Sequence, residues 1–258
     1  MGRRPIVMAN WKMNKLPDEA RAYIKDVAAV VQAYPDVEPI LAGQDVLLQT
    51  MVDAAEGTHI EIGAENVYWK EEGAYTGETS PKVVASLGVQ YVIIGHSERR
   101  HYFRETDEMV NLKALAALKN HLSPIIALDE SIQVVSPNAH MHWIVNQVIE
   151  ALKGVTNDQM AQVVLAYEPT QAIGSGMAMN ADLAQKDLYM IRETVSDMFN
   201  AEIAENLRIL YGGSVKPENV YEIMRQTDID GVLVGNSALD PDNFAELVKL
   251  AHQAQKLK

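Results

Sequence analysis

The sequence predicts an α/β protein, a single-domain (β/α)8 barrel, on three observations. Short apolar runs alternate along the chain with longer amphipathic stretches, which implies right-handed βαβ units and a parallel sheet. Eight such runs occur in 258 residues, the number and length that suit a closed barrel better than an open doubly wound sheet. Runs such as Tyr91-Val92-Ile93-Ile94 also lack polar alternation, as expected of parallel strands buried on both faces.

The expected strands are residues 6–9, 39–42, 60–64, 91–94, 124–128, 163–167, 208–211 and 231–234. Between them, apolar residues recur at helical spacing in 18–33, 105–119, 139–153, 181–199, 217–225 and 241–255. Pro217 and Pro241 stand just inside two of the helix starts, where proline's missing N–H costs nothing. No strand is followed by G-x-G-x-x-G, which weakens the doubly wound alternative. No linker or low-complexity segment divides the chain, so the expected domain is 1–258.

Composition excludes several classes of function. A net charge of −13 and a pI near 4.9 argue against a nucleic-acid surface, which needs clustered Lys and Arg. The absence of cysteine excludes disulfides, thiol catalysis and thiolate metal sites. His140 and His142 are two residues apart and would face different directions on a helix, so no metal and no cofactor is expected. No apolar run approaches the ~20 residues that span a bilayer. The first residues lack a signal-peptide core, and Ile6 stands where myristoylation wants Ser or Thr. The expected location is cytoplasmic, without membrane or nucleic-acid partners.

Polar residues gather where the strands end. Asn10-Trp11-Lys12-Met13-Asn14 follows the first strand, Gly95-His96-Ser97-Glu98-Arg99-Arg100 the fourth, and Glu168-Pro169 the sixth. In a parallel barrel these ends share one face, where loops build the active site. Glu168 is a candidate general base, although a carboxylate that only caps the next helix fits the same segment. Singly, Lys12 reads as a solvated charge, His96 as a hydrogen-bonded packing residue and Asn10 as a turn former. Together, a lysine, a histidine and a carboxylate are the groups needed to move a proton next to a carbonyl. Small residues follow the last two strands, Gly212-Gly213-Ser214 and Gly235-Asn236-Ser237. Glycine lets backbone N–H groups approach a ligand, so these turns can cradle a phosphate.

The chain resembles the triosephosphate isomerase family. The resemblance rests on Asn10 to Asn14, Gly63-Ala64-Glu65-Asn66-Val67, Gly73-Ala74-Tyr75-Thr76-Gly77-Glu78, Gly95 to Arg100, Ala166-Tyr167-Glu168-Pro169, Ala172-Ile173-Gly174, Tyr211 to Val215 and Leu233-Val234-Gly235. These segments run from the first strand to the last. The resemblance implies a TIM barrel that interconverts dihydroxyacetone phosphate and D-glyceraldehyde 3-phosphate through an enediolate, a reaction of glycolysis and gluconeogenesis. Glu168 would be the base and His96 the electrophile. Asn10 and Lys12 would contact substrate, and Glu98 would pair with the lysine. Backbone N–H groups of Gly174, Ser214, Gly235 and Asn236 would hold the phosphate. A helix beginning at Ser97 would disfavour a charged His96 through its dipole. The segment Gly73 to Glu78 would reach a neighbouring subunit's site through Thr76, making a homodimer.

The pattern also has departures. Thr170-Gln171 replaces a hydrophobic residue and Trp, Met177-Ala178 replaces Lys-Thr, Ala127-Leu128-Asp129-Glu130 replaces Cys-x-Gly-Glu, and Asn236 stands where a second glycine is common. None removes a proton-transfer group. They bear on loop closure, affinity and substrate size. Two alternatives therefore stand beside the first reading: an isomerase of a related sugar phosphate such as a tetrulose phosphate, and a non-catalytic phosphate-binding relative.

Overall fold

A computed structural model describes residues 2–129, 137–169, 180–256 and 258, with only the backbone of 137–140. Eight strands close into a barrel in chain order: β1 (Ile6–Asn10), β2 (Glu38–Gly43), β3 (Glu61–Ala64), β4 (Tyr91–Ile94), β5 (Ser123–Asp129), β6 (Val164–Glu168), β7 (Arg208–Tyr211) and β8 (Gly231–Val234). Every neighbouring pair is parallel, and β8 returns to β1 with Ile6 opposite Gly231. The strands match expectation to within two residues. One difference is consequential: Glu168 is the last residue of β6, so sheet geometry turns its Cα–Cβ bond toward the barrel interior.

The helices pack outside the barrel: α1 (Pro17–Val31), α2 (Leu48–Ala55), α3 (Pro81–Ser86), α4 (Ser97–Phe103), α5 (Asp107–Lys119), α6 (Pro137–Ala151), α7 (Ala181–Met198), α8 (Ala201–Asn206), α9 (Pro217–Met224) and α10 (Pro241–Gln255). Their starts follow from local chemistry. Pro17, Pro81, Pro217 and Pro241 each occupy the first turn, and the Asp240 carboxylate accepts the Asn243 N–H at 2.9 Å. The helix expected over 105–119 begins two residues later, because Thr106 is its cap, accepting the Met109 N–H. Glu105 is instead buried against Lys113 and Arg99. None of the described helices is long and apolar enough to cross a membrane.

Two apolar layers result. Between sheet and helices lies the larger one, with Val7, Ala9, Leu41, Val92, Ile94, Leu165 and Val232. Inside the barrel lies the smaller one, with Ile6, Met8, Ile40, Ile93, Ile125, Val164, Ala166, Leu210 and Leu233. Side chains alternate across a strand, so the inward register of β1 runs 6, 8, 10 and that of β6 runs 164, 166, 168. Continuing the same register on β7 and β8 gives 210, 212 and 233, 235. Asn10, Glu168, Gly212 and Gly235 are thus the carboxyl-end members of the barrel's own interior set. At the opposite end the interior is closed by Glu38, which accepts from the Tyr91 hydroxyl and, at 2.6 Å, from Arg208. This satisfied ion pair leaves the carboxyl end as the open mouth.

Candidate active site

The loop after β1 is wound by side chains that bond its own backbone. The Asn10 carboxamide oxygen accepts the Lys12 N–H at 3.2 Å, and Asn14 donates to the Trp11 carbonyl at 2.5 Å. Trp11 is fully buried with its ring edge-on to Tyr23, centroids 4.9 Å apart. Pinned on both sides, Lys12 adopts a left-handed backbone with φ 54°, which a residue with a Cβ rarely accepts. Its ammonium sits 2.6 Å from the Glu98 carboxylate.

The chain leaves β4 through Gly95, at φ 71°, and His96 caps α4. The His96 Nδ1 accepts the Glu98 N–H at 3.2 Å, so the ring proton resides on Nε2. That nitrogen lies 2.9 Å from Glu168 Oε1. The other Glu168 oxygen accepts the Ser97 N–H at 2.8 Å. Glu168 is only 1% exposed. Burial favours its neutral form, but His96, the Ser97 N–H and Lys12 hold its carboxyl below the ordinary range.

His96 is the place where expectation and geometry part. Burial pushes its pKa down, yet the adjoining Glu168 carboxylate wins and the net shift is upward. The helix end alone disfavours an imidazolium; the Glu168 carboxylate in direct contact acts the other way. Should Glu168 leave, its contributions go with it, while burial and the nearby Lys12 cation both continue to oppose protonation. A histidine relieved of Glu168 keeps only Glu98 in favour of its charge, and its Nε2–H is free to donate.

The last two strands supply the opposite wall. The Gly212 N–H donates to the Tyr167 carbonyl at 2.7 Å, and a Cβ on Gly212 would stand 3.0 Å from Glu168 Cγ. A side chain on Gly213 would overlap the Tyr211 ring and hydroxyl beneath it. The glycine pair therefore makes room for the base on one side and for a close backbone approach on the other. Gly235 lies against Lys12, where a Cβ would be 3.7 Å from Cε.

These residues enclose a cavity of about 540 Å³ lined by Asn10, Lys12, His96, Glu98, Glu168, Ser214, Gly235 and Asn236 among others. Nearly every expected site residue is thus brought to one place. Gly174 and both loop hinges, Thr170-Gln171 and Met177-Ala178, lie outside the described residues. Thr76 lines no part of this cavity and sits on an exposed loop. Two contributors were not anticipated: the Ser97 N–H that holds Glu168, and Lys216, which lines the wall. Nothing in the sequence signals the Ser97 contact.

A groove of about 810 Å³ adjoins the cavity, sharing Lys12 and His96 and bordered by Glu65, Met13, Val46 and Phe103. The Glu65 Oε1 is buried and without a partner among the described residues, and burial pushes its carboxyl up to about 8. A carboxyl raised in the fold binds a proton that the unfolded chain has already lost. Its contribution to stability is therefore complete below its ordinary value of 4.5 and is lost as the pH rises toward about 8. Glu65→Gln is expected to raise the thermal midpoint at about pH 9 and to lose that advantage at about pH 4. Melts of both proteins at the two pH values check this; an equal gain at both would contradict it.

Comparison with known proteins agrees with this architecture. The family model described as triosephosphate isomerase matches residues 5–251. Triosephosphate isomerase of Lactobacillus acidophilus is 48% identical over 248 residues, covering 96% of this chain and 98% of that protein. The enzyme of the same name from Lactobacillus delbrueckii subsp. lactis is 47% identical over 251 residues, with 96% and 98% covered. That of Lactiplantibacillus plantarum is 48% identical over 246 residues, with 95% and 98% covered. With a family model spanning nearly all of the barrel and relatives this similar over their whole length, the chain belongs to the triosephosphate isomerase family.

Proposed function

We propose that this isomerase interconverts dihydroxyacetone phosphate and D-glyceraldehyde 3-phosphate, with Glu168 as base, His96 as electrophile and Lys12 and Asn10 as substrate contacts. The observation that carries the reading is the contact of Glu168 with His96 inside a cavity that also holds Lys12 and both glycine turns. The turns at 212–214 and 235–236 would receive the phosphate, and the Lys12 ammonium would offset its charge. Held there, the substrate presents its carbonyl to His96 Nε2–H. Glu168 leaves the histidine and takes a proton from the neighbouring carbon. The C–H electron pair becomes the enediolate double bond, and the carbonyl oxygen gains the negative charge that His96 stabilises. The hydroxyl proton on the first carbon's oxygen passes, by way of His96, to the former carbonyl oxygen, and Glu168 returns its proton to the adjacent carbon, giving the isomer.

The same reading takes the chain as one domain over 1–258, acting in the cytoplasm as a homodimer without nucleic-acid partners. Supporting the dimer, the loop at 73–78 is exposed throughout, and Met13, Val46, Tyr102 and Phe103 offer large apolar surface around the adjoining groove. A coupled assay with both trioses and a four-carbon ketose phosphate tests the function. Conversion of the trioses with the higher kcat/KM is expected; a clear four-carbon preference would replace the substrate, and no turnover at all would leave only phosphate binding.

A further inference from the structure

The turn after β8 is held by two side chains of the first βα unit that the mechanism does not use. Tyr23, on α1, is buried and donates its hydroxyl to the Ala238 carbonyl at 2.6 Å. Lys15 donates its ammonium to the next carbonyl, that of Leu239, at 2.7 Å, and stands over the Tyr23 ring, 5.0 Å from its centroid. Both acceptors belong to the short turn Asn236–Leu239, in which the Ala238 N–H donates to the Gly235 carbonyl at 2.9 Å. Lys15 adopts φ 73° to do so, a backbone that a residue with a Cβ rarely accepts.

The same two residues join this turn to the loop that carries Lys12. The Tyr23 ring packs against Trp11, the residue before Lys12, and Lys15 lies three residues beyond it. At the cavity the loop and the turn already meet, since a Cβ on Gly235 would stand 3.7 Å from Lys12 Cε. Neither Tyr23 nor Lys15 lines that cavity. A phenylalanine would fill the space beside Trp11 and Phe244 equally well, so packing alone does not call for the hydroxyl. Burial pushes the Tyr23 pKa up, which keeps that hydroxyl a donor.

We infer that Tyr23 and Lys15 are positioning residues for the substrate's phosphate: without touching it, they set the turn after β8 against the Lys12 loop and fix the separation across which the phosphate is held. The inference rests on the phosphate cradle proposed above. Without the hydroxyl, the carbonyl of the fully buried Ala238 loses this donor, and the turn shifts to recover a partner. That turn meets the phosphate and not the reacting carbons, so its displacement weakens ground and transition states alike, raising KM and sparing kcat.

Tyr23→Phe removes the hydroxyl alone and changes no charge. The full-length variant is expected to raise the KM for D-glyceraldehyde 3-phosphate and the inhibition constant of inorganic phosphate together, each about three- to tenfold, with kcat within about twofold. Its thermal midpoint should fall by about 2–6 °C, so kinetics are read well below it. Lys15→Met keeps the stem over the Tyr23 ring, leaves the core intact and should move both constants in the same direction. A lower midpoint with KM and phosphate inhibition unchanged in both variants would overturn the inference, leaving Tyr23 and Lys15 as parts of the fold. A loss confined to kcat in Tyr23→Phe would also overturn it, because the effect would then lie at the base. If inorganic phosphate does not compete with substrate in the parent protein, the cradle itself falls and the inference with it.

Discussion

Glu168→Gln is expected to lower kcat/KM by about 10³-fold or more, within the range of a positioned general base, while inorganic phosphate still binds within about a few-fold of the parent. The amide nearly preserves the volume, so the packing against Gly212 survives. What it loses is basicity. The variant also separates two contributions at His96. Burial lowers the histidine's pKa and Glu168 raises it, so removing the charge should move the His96 titration downward. Measuring the imidazole shifts by NMR in parent and variant checks this. Retained isomerase activity would remove Glu168 from the mechanism; an upward or absent shift at His96 would refute the account of the pair.

That pair marks the limit of what the sequence made legible. The eight strands were readable because parallel strands buried on both faces appear as bare apolar runs, and Tyr91 to Ile94 needed no context. Strand ends then brought Asn10, Lys12, His96 and Glu168 to one face, since a parallel barrel leaves no other arrangement. The helices α2, α3 and α8, of 8, 6 and 6 residues, escaped because so few turns establish no period. Side-chain direction beyond the strand was equally hidden. Whether Glu168 points at substrate space or at His96 depends on the Ser97 N–H, 71 residues away in sequence, and no local pattern encodes such a contact. At His96 the helix end was legible in the sequence, while the Glu168 carboxylate in direct contact, which favours the ring's charge, was not.

Lys12 offers the sharpest separation of function from stability. Its backbone is held at φ 54°, a conformation that costs a residue with a Cβ on the order of 1 kcal/mol and costs glycine almost nothing. Against that gain, glycine also adds freedom to the unfolded chain, worth roughly 0.5–1 kcal/mol. The Lys12–Glu98 ion pair is partly exposed, so its loss removes little more. The three effects nearly cancel, and Lys12→Gly is expected to keep its thermal midpoint within a few degrees of the parent. Catalysis should respond very differently. The ammonium lies in the cavity shared by His96, Glu168 and both glycine turns, and its removal leaves Glu98 as an uncompensated negative charge at a cavity proposed to take a dianionic substrate. A fall in kcat/KM of about 10³-fold is expected, carried by both KM and kcat, because the cation meets the substrate's charge and the charge that develops on the enediolate. Thermal melts alongside steady-state kinetics decide the matter. A large drop in midpoint would show that Lys12 is retained for the fold, whereas a stable, inactive protein would show that backbone strain is carried here because the site requires the ammonium.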